Sequence, residues 1–385
     1  MELTQGTGPV AVGVEEEFHI VDLESRRLVP QADSLLSQLP REQFVAELQC
    51  SMVEANSRPY ARLVDLAEDL AALRRRLVAA ADGFGLGVVA AGTVPVADLE
   101  SLKVTPNPRN ENMLDEYRLL VREQLICGTQ VHVDIGDRDL AVHVGHRIAP
   151  WLPALLALSA SSPFWLGLDT GYASYRTMLW SRWPTTGPLG AFTGAAEYDA
   201  MIEALVRTGT ISDPGMIYYD VRPSAHLPTL ELRIADACPR LEDVVLLAGL
   251  FRAIVGGEVD AVTAGRPAPR VRTEVVRAAT WRAARSGMEG GLVDPLDGTS
   301  VPAPQLLQGL LERCRERLEA AGDWDLVAEL AQAALARGSS AARQRQAFSR
   351  GGAPNVVDTL ITETRTNIGW LPGAGPNRSH QHRPQ

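Results

Sequence analysis

Four separate stretches of the chain place carboxylates or an imidazole at regular intervals within segments that otherwise read as strands. In "VGVEEEFHIVD", strand alternation sends Glu15 and Glu17 to one face and Val14, Glu16 and Phe18 to the other. In "TQVHVDI", His132 shares its face with Gln130 and Asp134. In "TLELRIAD", Glu231 and Arg233 share a face, while Leu230, Leu232 and Ile234 take the opposite one. The fourth stretch, "AELQCSMVEANS", carries Glu47 and Glu54. Those two differ in parity, so both reach one site only across a bend or bulge.

Any one of these strands alone reads as half exposed with an ordinary polar face. Together they predict a single sheet whose polar face lines a cleft, because the chain has almost nothing to neutralise them locally. Lys103 is the only lysine; every other basic residue is an arginine. Clustered carboxylates need cations, and oxygen-rich sites with at most one imidazole suit Mg²⁺ or Mn²⁺ better than Zn²⁺. Glu16, on the other face, needs an arginine partner or water.

The single lysine excludes two function classes. There is no GxxxxGK[ST] phosphate loop and no strand lysine of the protein-kinase kind. Phosphate handling would fall to metal ions and to arginines, whose planar fork grips phosphate through two bonds. The net charge of −10 disfavours nucleic acid as a partner. Cys50, Cys127, Cys238 and Cys314 lie far apart without zinc-type spacing, which fits reduced thiols and a cytoplasmic location. Cys50 reads as a small core residue. No secretory leader is visible, and the apolar run from Ile148 to Leu168 is broken by Pro150, Pro153 and Pro163, so no membrane span is expected.

The elements that must position these residues follow from periodicity. Strands are expected over Val10–Val21, within Phe44–Ala55, over Gly87–Thr93, Gly128–Asp137 and Leu230–Ala235. A long amphipathic helix is expected over Arg62–Ala80, with Leu63, Leu66, Leu70, Leu73 and Leu77 on one side. Leu140–Ser159 reads as mainly helical. Further helices are expected over Leu241–Ala264, Arg272–Arg285, Ala303–Ala321 and Trp324–Ala336. Thr105–Asn112 reads as a Pro/Asn-rich loop. Ser161–Thr193 reads as a long loop in which Tyr172, Tyr175, Trp180 and Trp183 are candidates for a pocket wall. His19, His143, His146 and His226 read as structural. Strands mixed irregularly with helices imply an α+β class in one domain, residues 1–372, followed by a polar, disordered tail, residues 373–385.

Seven stretches in order, "VGVEEEFHIVD", "ELQCSMVEANSRPY", "GTQVHVDIGD", "LALSASSPFWLGLDTGYASYRTMLWSRWPTTGP", "YYDVRPSAHLPTLELRIADA", "WRAARSGMEGGLVD" and "ARQRQAF", resemble the glutamate–cysteine ligase type 2 family. These are carboxylate–amine ligases of the glutamine synthetase-like superfamily, and the resemblance runs from Val12 to Phe348. It implies a curved, mostly antiparallel sheet forming a funnel, with helices packed outside. It implies ATP as co-substrate, two or three Mg²⁺ ions (or Mn²⁺), small-molecule carboxylate and amine partners, and a homodimer. By the same resemblance Glu15 and Glu17 serve different ions. Glu54, with Glu47, would help hold the ion facing the substrate, and His132 and Glu231 would complete the ion at the ATP phosphates. Arg233 would face the transferred phosphoryl group. Arg176, Arg222, Arg343 and Arg345 lie in matched motifs as candidates for phosphate or substrate carboxylate, the last two closing over the nucleotide; each reads equally as a structural ion pair.

The implied reaction is ATP-dependent amide formation through an acyl phosphate, which some members use to make γ-glutamylcysteine. A guanidino-kinase-like phosphotransferase and a non-catalytic binding protein on the same fold are the alternatives.

Overall fold

The computed structural model describes residues 10–366, so the tail, residues 373–385, lies outside the described residues. The frame is a seven-stranded antiparallel sheet: β1 (Val12–Asp22), β2 (Phe44–Ala46), β3 (Met52–Asn56), β4 (Leu86–Val89), β5 (Thr129–Asp134), β6 (Val221–Pro223) and β7 (Thr229–Leu232). Its order is β6-β7-β5-β1-β3-β2, and β4 pairs with β1 off this path. The long β1 changes neighbours along one edge. Val12 to Glu16 pair with β5, and His19 to Asp22 pair with β4. The other edge of β1 carries β3 from Glu15 to His19.

This register brings the chemistry together. Glu17 lies directly opposite Glu54, Glu15 opposite Gln130, and His132 opposite Glu231. Directly opposed residues share a face. Four strands distant in sequence thus contribute to one polar surface, as alternation predicts. Glu47 joins them without a bulge inside a strand. It follows β2, in which Val45 opposes Glu54, so the residue two beyond Val45 returns to the face of Glu54. The parity conflict disappears because the chain reverses between the two residues.

Among the described residues, the α-helices of six residues or more are α1 (Leu63–Asp82), α2 (Pro108–Tyr117), α3 (Arg138–Ile148), α4 (Leu152–Ser159), α5 (Tyr175–Trp180), α6 (Ala195–Arg207), α7 (Leu241–Thr263), α8 (Thr273–Ser286), α9 (Ala303–Ala321), α10 (Trp324–Arg337) and α11 (Ser340–Thr366). α1 turns Leu63, Leu66, Leu70, Leu73 and Leu77 onto the apolar side of β1, against Val14, Phe18 and Ile20 and the buried α7. α11 covers β4 through Val356, Val357 and Leu360, and its backbone breaks at Gly351 and Gly352. Among the described residues no helix is long and apolar enough to cross a membrane.

Glu16 faces into this core, and its partner is Arg74 of α1. The guanidinium donates to both carboxylate oxygens, at 2.5 and 3.2 Å, and to the carbonyls of Cys238 and Pro239 at 2.8 and 2.7 Å. A buried charge is tolerated when it is paired and its remaining bonds are satisfied, and both conditions hold here.

Two expectations need correction. The Pro/Asn-rich stretch, residues 105–112, is not all loop: α2 begins at Pro108, because the Asn107 side chain accepts the Asn110 N–H at 2.8 Å and proline at the first turn loses no hydrogen bond. The long stretch, residues 161–193, is not featureless either. It contains α5, capped by Ser174, and is pinned to the sheet by the buried Asp236. That carboxylate accepts from the Ser161 N–H at 2.9 Å and from the hydroxyls of Ser162 and Ser174 at 2.7 and 2.8 Å.

Candidate active site

At the polar face of β1 and β3, one oxygen each from Glu17, Glu47 and Glu54 lies within 4.8 Å of the others. Glu17 is held from the side. It accepts the Gly128 N–H at 2.6 Å and the Gln130 amide at 2.7 Å. A Cβ at Gly128 would stand 2.5 Å from an Arg176 nitrogen, so any larger residue there would displace that guanidinium. Glu54 accepts from the Asn56 amide at 2.9 Å. Burial pushes the Glu47 carboxyl up to about 7, reinforced by Glu17 and opposed by a hydrogen bond from Glu54. Burial, then the charges of Glu47, Glu15 and Glu17, raises Glu54 well above the carboxylate range. These three groups carry more negative charge than their surroundings neutralise.

Beside them lies a second constellation. His132 Nε2 stands 3.2 Å from Glu15 Oε1, within ion-pair distance but without a hydrogen bond. Its Nδ1 is 2.9 Å from the Thr229 hydroxyl, which fixes the ring. Burial works against charging His132, and Glu15 and Glu231 outweigh it, so its pKa is raised. Glu231 is buried between two arginines: Arg222 donates at 2.9 Å, and Arg233 pairs with its other oxygen. Burial alone would raise the Glu231 carboxyl, but Arg233, Arg222 and His132 hold it at about 2.

A cavity of about 370 Å³ opens over the first cluster. Glu15, Glu17, Glu47 and Glu54 line one side, and Arg176, Arg233, Trp180 and Trp183 stand among the other lining residues. Arg233 sits over the rings of Trp180 and Tyr218, 5.9 Å from each centroid. Arg176 is buried, donates to the carbonyls of Ile234 and Arg233 at 3.2 Å, and lies 4.0 Å from Asp236. Its Nε has no hydrogen-bond partner among the described residues.

Other predicted residues fall elsewhere. Arg222 backs Glu231, its guanidinium also taken by the carbonyls of Gly215 and Ile217, and it does not line the cavity. Arg343 is tied to Glu363 at 2.7 Å, and Arg345 to Asp169 at 2.7 Å; neither is at the cavity. Tyr172 and Tyr175 pack against each other rather than lining it. Cys50 is half-buried rather than core. His143 and His146 meet backbone carbonyls of Thr193 and Leu189, and His19 is fully buried, its pKa lowered by burial to about 3. Arg109, Asn107 and Gln124 also line the cavity and were not singled out from the sequence. The N-cap pattern at Asn107 and Pro108 was the available signal for the first two, because a helix start there turns them toward one place.

The donor set fits divalent cations. Three carboxylates converge, and a buried imidazole nitrogen beside Glu15 lacks a hydrogen bond while its other nitrogen is fixed by a hydroxyl, as is usual for a metal-ligating histidine.

Comparison with known proteins agrees with this geometry. Residues 11–359 match the family "Glutamate-cysteine ligase family 2". A protein of Mycolicibacterium smegmatis named "Putative glutamate--cysteine ligase 2-2" is 53% identical, covering 94% of this chain and 92% of that protein. One of Frankia alni, named "Putative glutamate--cysteine ligase 2-3", is 56% identical over 92% of this chain, which spans only 42% of that protein's length. A crystal structure of glutamate–cysteine ligase from Francisella tularensis in complex with AMP superposes with a TM-score of 0.70 at 11% identity, covering 95% of this chain and 91% of that one. That likeness establishes a shared fold, with its curved antiparallel sheet and outer helices.

Proposed function

This chain belongs to glutamate–cysteine ligase family 2, and from that premise we propose that it is an ATP-dependent carboxylate–amine ligase. In the proposed reaction a substrate carboxylate attacks the γ-phosphate to give an acyl phosphate and ADP. An amine then displaces phosphate to leave an amide. The observation that carries the reading is the set of three converging carboxylates, Glu17, Glu47 and Glu54, sharing one cavity with Arg176 and Arg233.

Phosphoryl transfer needs positioning and charge neutralisation rather than a protein nucleophile, which suits a site without a lysine. Two or three Mg²⁺ ions (or Mn²⁺), held by Glu15, Glu17, Glu47, Glu54 and His132, would neutralise phosphate oxygens; Glu231, whose two oxygens are engaged by Arg222 and Arg233, would exchange one of those partners to join them. Arg233, anchored by Glu231 and braced over Trp180 and Tyr218, presents a fixed positive charge to the transferred group. Arg176, with an unpartnered Nε, is placed to bind a substrate carboxylate or phosphate. Gln130 and Gly128 keep Glu17 oriented. Arg222 acts through Glu231 rather than on substrate.

The names of the relatives support glutamate as the carboxylate and cysteine as the amine, giving γ-glutamylcysteine. The test is ADP release with Mg²⁺, screened over pairs of amino acids and amines with mass detection of the product. Release that requires both substrates and yields an amide is expected. A stable phosphorylated product would move the protein to the phosphotransferases.

A further inference from the structure

A second cavity, of about 570 Å³, abuts the first: Trp180 and Trp183 line both. Thr177, Asp220, Arg277 and Trp281 are among the residues that line only the second. Asp220 is the unusual one. It is 6% exposed, yet no hydrogen bond or ion pair reaches its carboxylate from any described residue. Its backbone is rigidly placed, because its carbonyl accepts the N–H groups of Arg233 and Ile234 at 2.9 and 3.1 Å. Burial pushes its carboxyl up to about 7, with Arg176 pulling the other way. A carboxylate this deep in a cavity wall with no protein donor is left to water or to a ligand that brings a cation or N–H groups.

The rest of the wall narrows the ligand. Arg277, on α8, is exposed and forms no close ion pair with a described group, its charge partner being Glu274 one turn earlier on the same helix. The cavity therefore offers one buried carboxyl group, one exposed guanidinium, the hydroxyls of Thr177 and Thr280, and the indoles of Trp180, Trp183 and Trp281. Opposite charges across an aromatic-walled space complement a zwitterion better than a simple amine or an acid. The position, sharing Trp180 and Trp183 with the first cavity, suits a second substrate.

We propose that this second cavity binds the amine co-substrate as a free amino acid, its ammonium on Asp220 and its carboxylate on Arg277. This rests on the ligase reading and extends it: one cavity takes the carboxylate and phosphates, the adjoining one the amine. The two indoles between them would contact both substrates.

The test reads binding apart from turnover. The full chain, without nucleotide, is titrated with each protein L-amino acid while the tryptophan fluorescence of the cavity wall is followed. The best ligand is then compared with its decarboxylated amine and its deaminated acid; for alanine these are ethylamine and propionate. The amino acid should bind more tightly than either fragment. Asp220→Asn should weaken the amino acid and the amine by on the order of 30-fold or more, as for loss of one member of a buried charge pair. Arg277→Gln should weaken the amino acid by about two- to fivefold, as for an exposed pair, and leave the amine unchanged. Because Arg277 is on the surface, this second variant tests the site without disturbing the fold.

In turnover, Asp220→Asn should raise the KM of the amine and not that of the carboxylate. Failure of every amino acid to bind, or wild-type affinity in Asp220→Asn, overturns the assignment. ADP release with an unchanged amine KM in Asp220→Asn also overturns it, while the ligase reading stands. Absence of ADP release with every substrate pair removes the ligase reading itself, and with it the co-substrate role.

Discussion

Replacing Glu54 by glutamine should uncouple the protein's stability from Mg²⁺. Glu17, Glu47 and Glu54 place oxygens within 4.8 Å of one another. Two ionised carboxylates at that distance repel by about 3.5 kcal/mol at an effective dielectric of ~20. Burial and the neighbouring carboxylates favour the protonated form of Glu54, which relieves part of this repulsion. Glutamine keeps the shape and removes both the charge and the need for the proton. The metal-free variant should therefore be at least as stable as metal-free wild type at pH 8. A cation at a hundred times its Kd stabilises a protein that binds it by about 2.7 kcal/mol. With an unfolding entropy of ~2.1 cal/mol/K per residue, a chain of 385 residues gains roughly 3 °C in Tm from that energy. Scanning calorimetry in EDTA and then in Mg²⁺ reads the difference directly. Wild type should gain about 3 °C, and Glu54→Gln less than about 1 °C. An equal gain in both proteins would refute the assignment of Glu54 to the cation site.

Arg74→Met should cost about 3–5 kcal/mol by stranding Glu16 in the core, lowering Tm by roughly 4–6 °C; adding Glu16→Gln should restore at least half, and a double variant no better than the single would refute the pairing. Arg233→Lys should lower kcat by about 100-fold or more with little change in the amine KM, since a lysine cannot both bind Glu231 and present a planar fork to the phosphoryl group; steady-state kinetics decides it. Asp220 has its carboxyl raised from 3.8 to about 7, so the native state holds a proton that the unfolded chain releases. Stability from that proton is complete below the unfolded value and lost as pH rises through the native one. Without added ligand, the Tm of wild type should therefore fall relative to Asp220→Asn between about pH 4 and pH 7, then run parallel; a constant difference across that range would contradict the burial of an ionisable group there.

Strand parity carried most of the site. Alternation alone separated Glu15 and Glu17 from Glu16, and the structure keeps that division, with the pair at the cavity and Glu16 in the core. The helical leucines of α1 likewise fixed which of its faces is buried. Pairing was harder to read. Arg74 lies 58 residues from Glu16, and nothing local distinguishes it from Arg75 or Arg76 until the helix packs on β1. Glu47 and Glu54 misled because parity holds along one strand, whereas these two sit on either side of a chain reversal. Arg343 and Arg345 had motif membership to recommend them, but carboxylates on α11 and in the long loop take up their charges. Asp220 was invisible in the sequence. It stands in a matched motif like many residues, and only three-dimensional placement shows a buried carboxylate without a donor.

The acyl phosphate is the centre of the account, and oxygen transfer tests it most directly. With a substrate carboxylate fully labelled with ¹⁸O, ATP, Mg²⁺ and the amine, the released phosphate should carry one labelled oxygen per amide formed, because the carboxylate oxygen that attacks the γ-phosphate leaves with it. Mass analysis of the phosphate reads this without assumptions about affinity. Unlabelled phosphate alongside amide product would contradict the mechanism, and label retained in a stable phosphorylated product would contradict the ligase assignment as a whole.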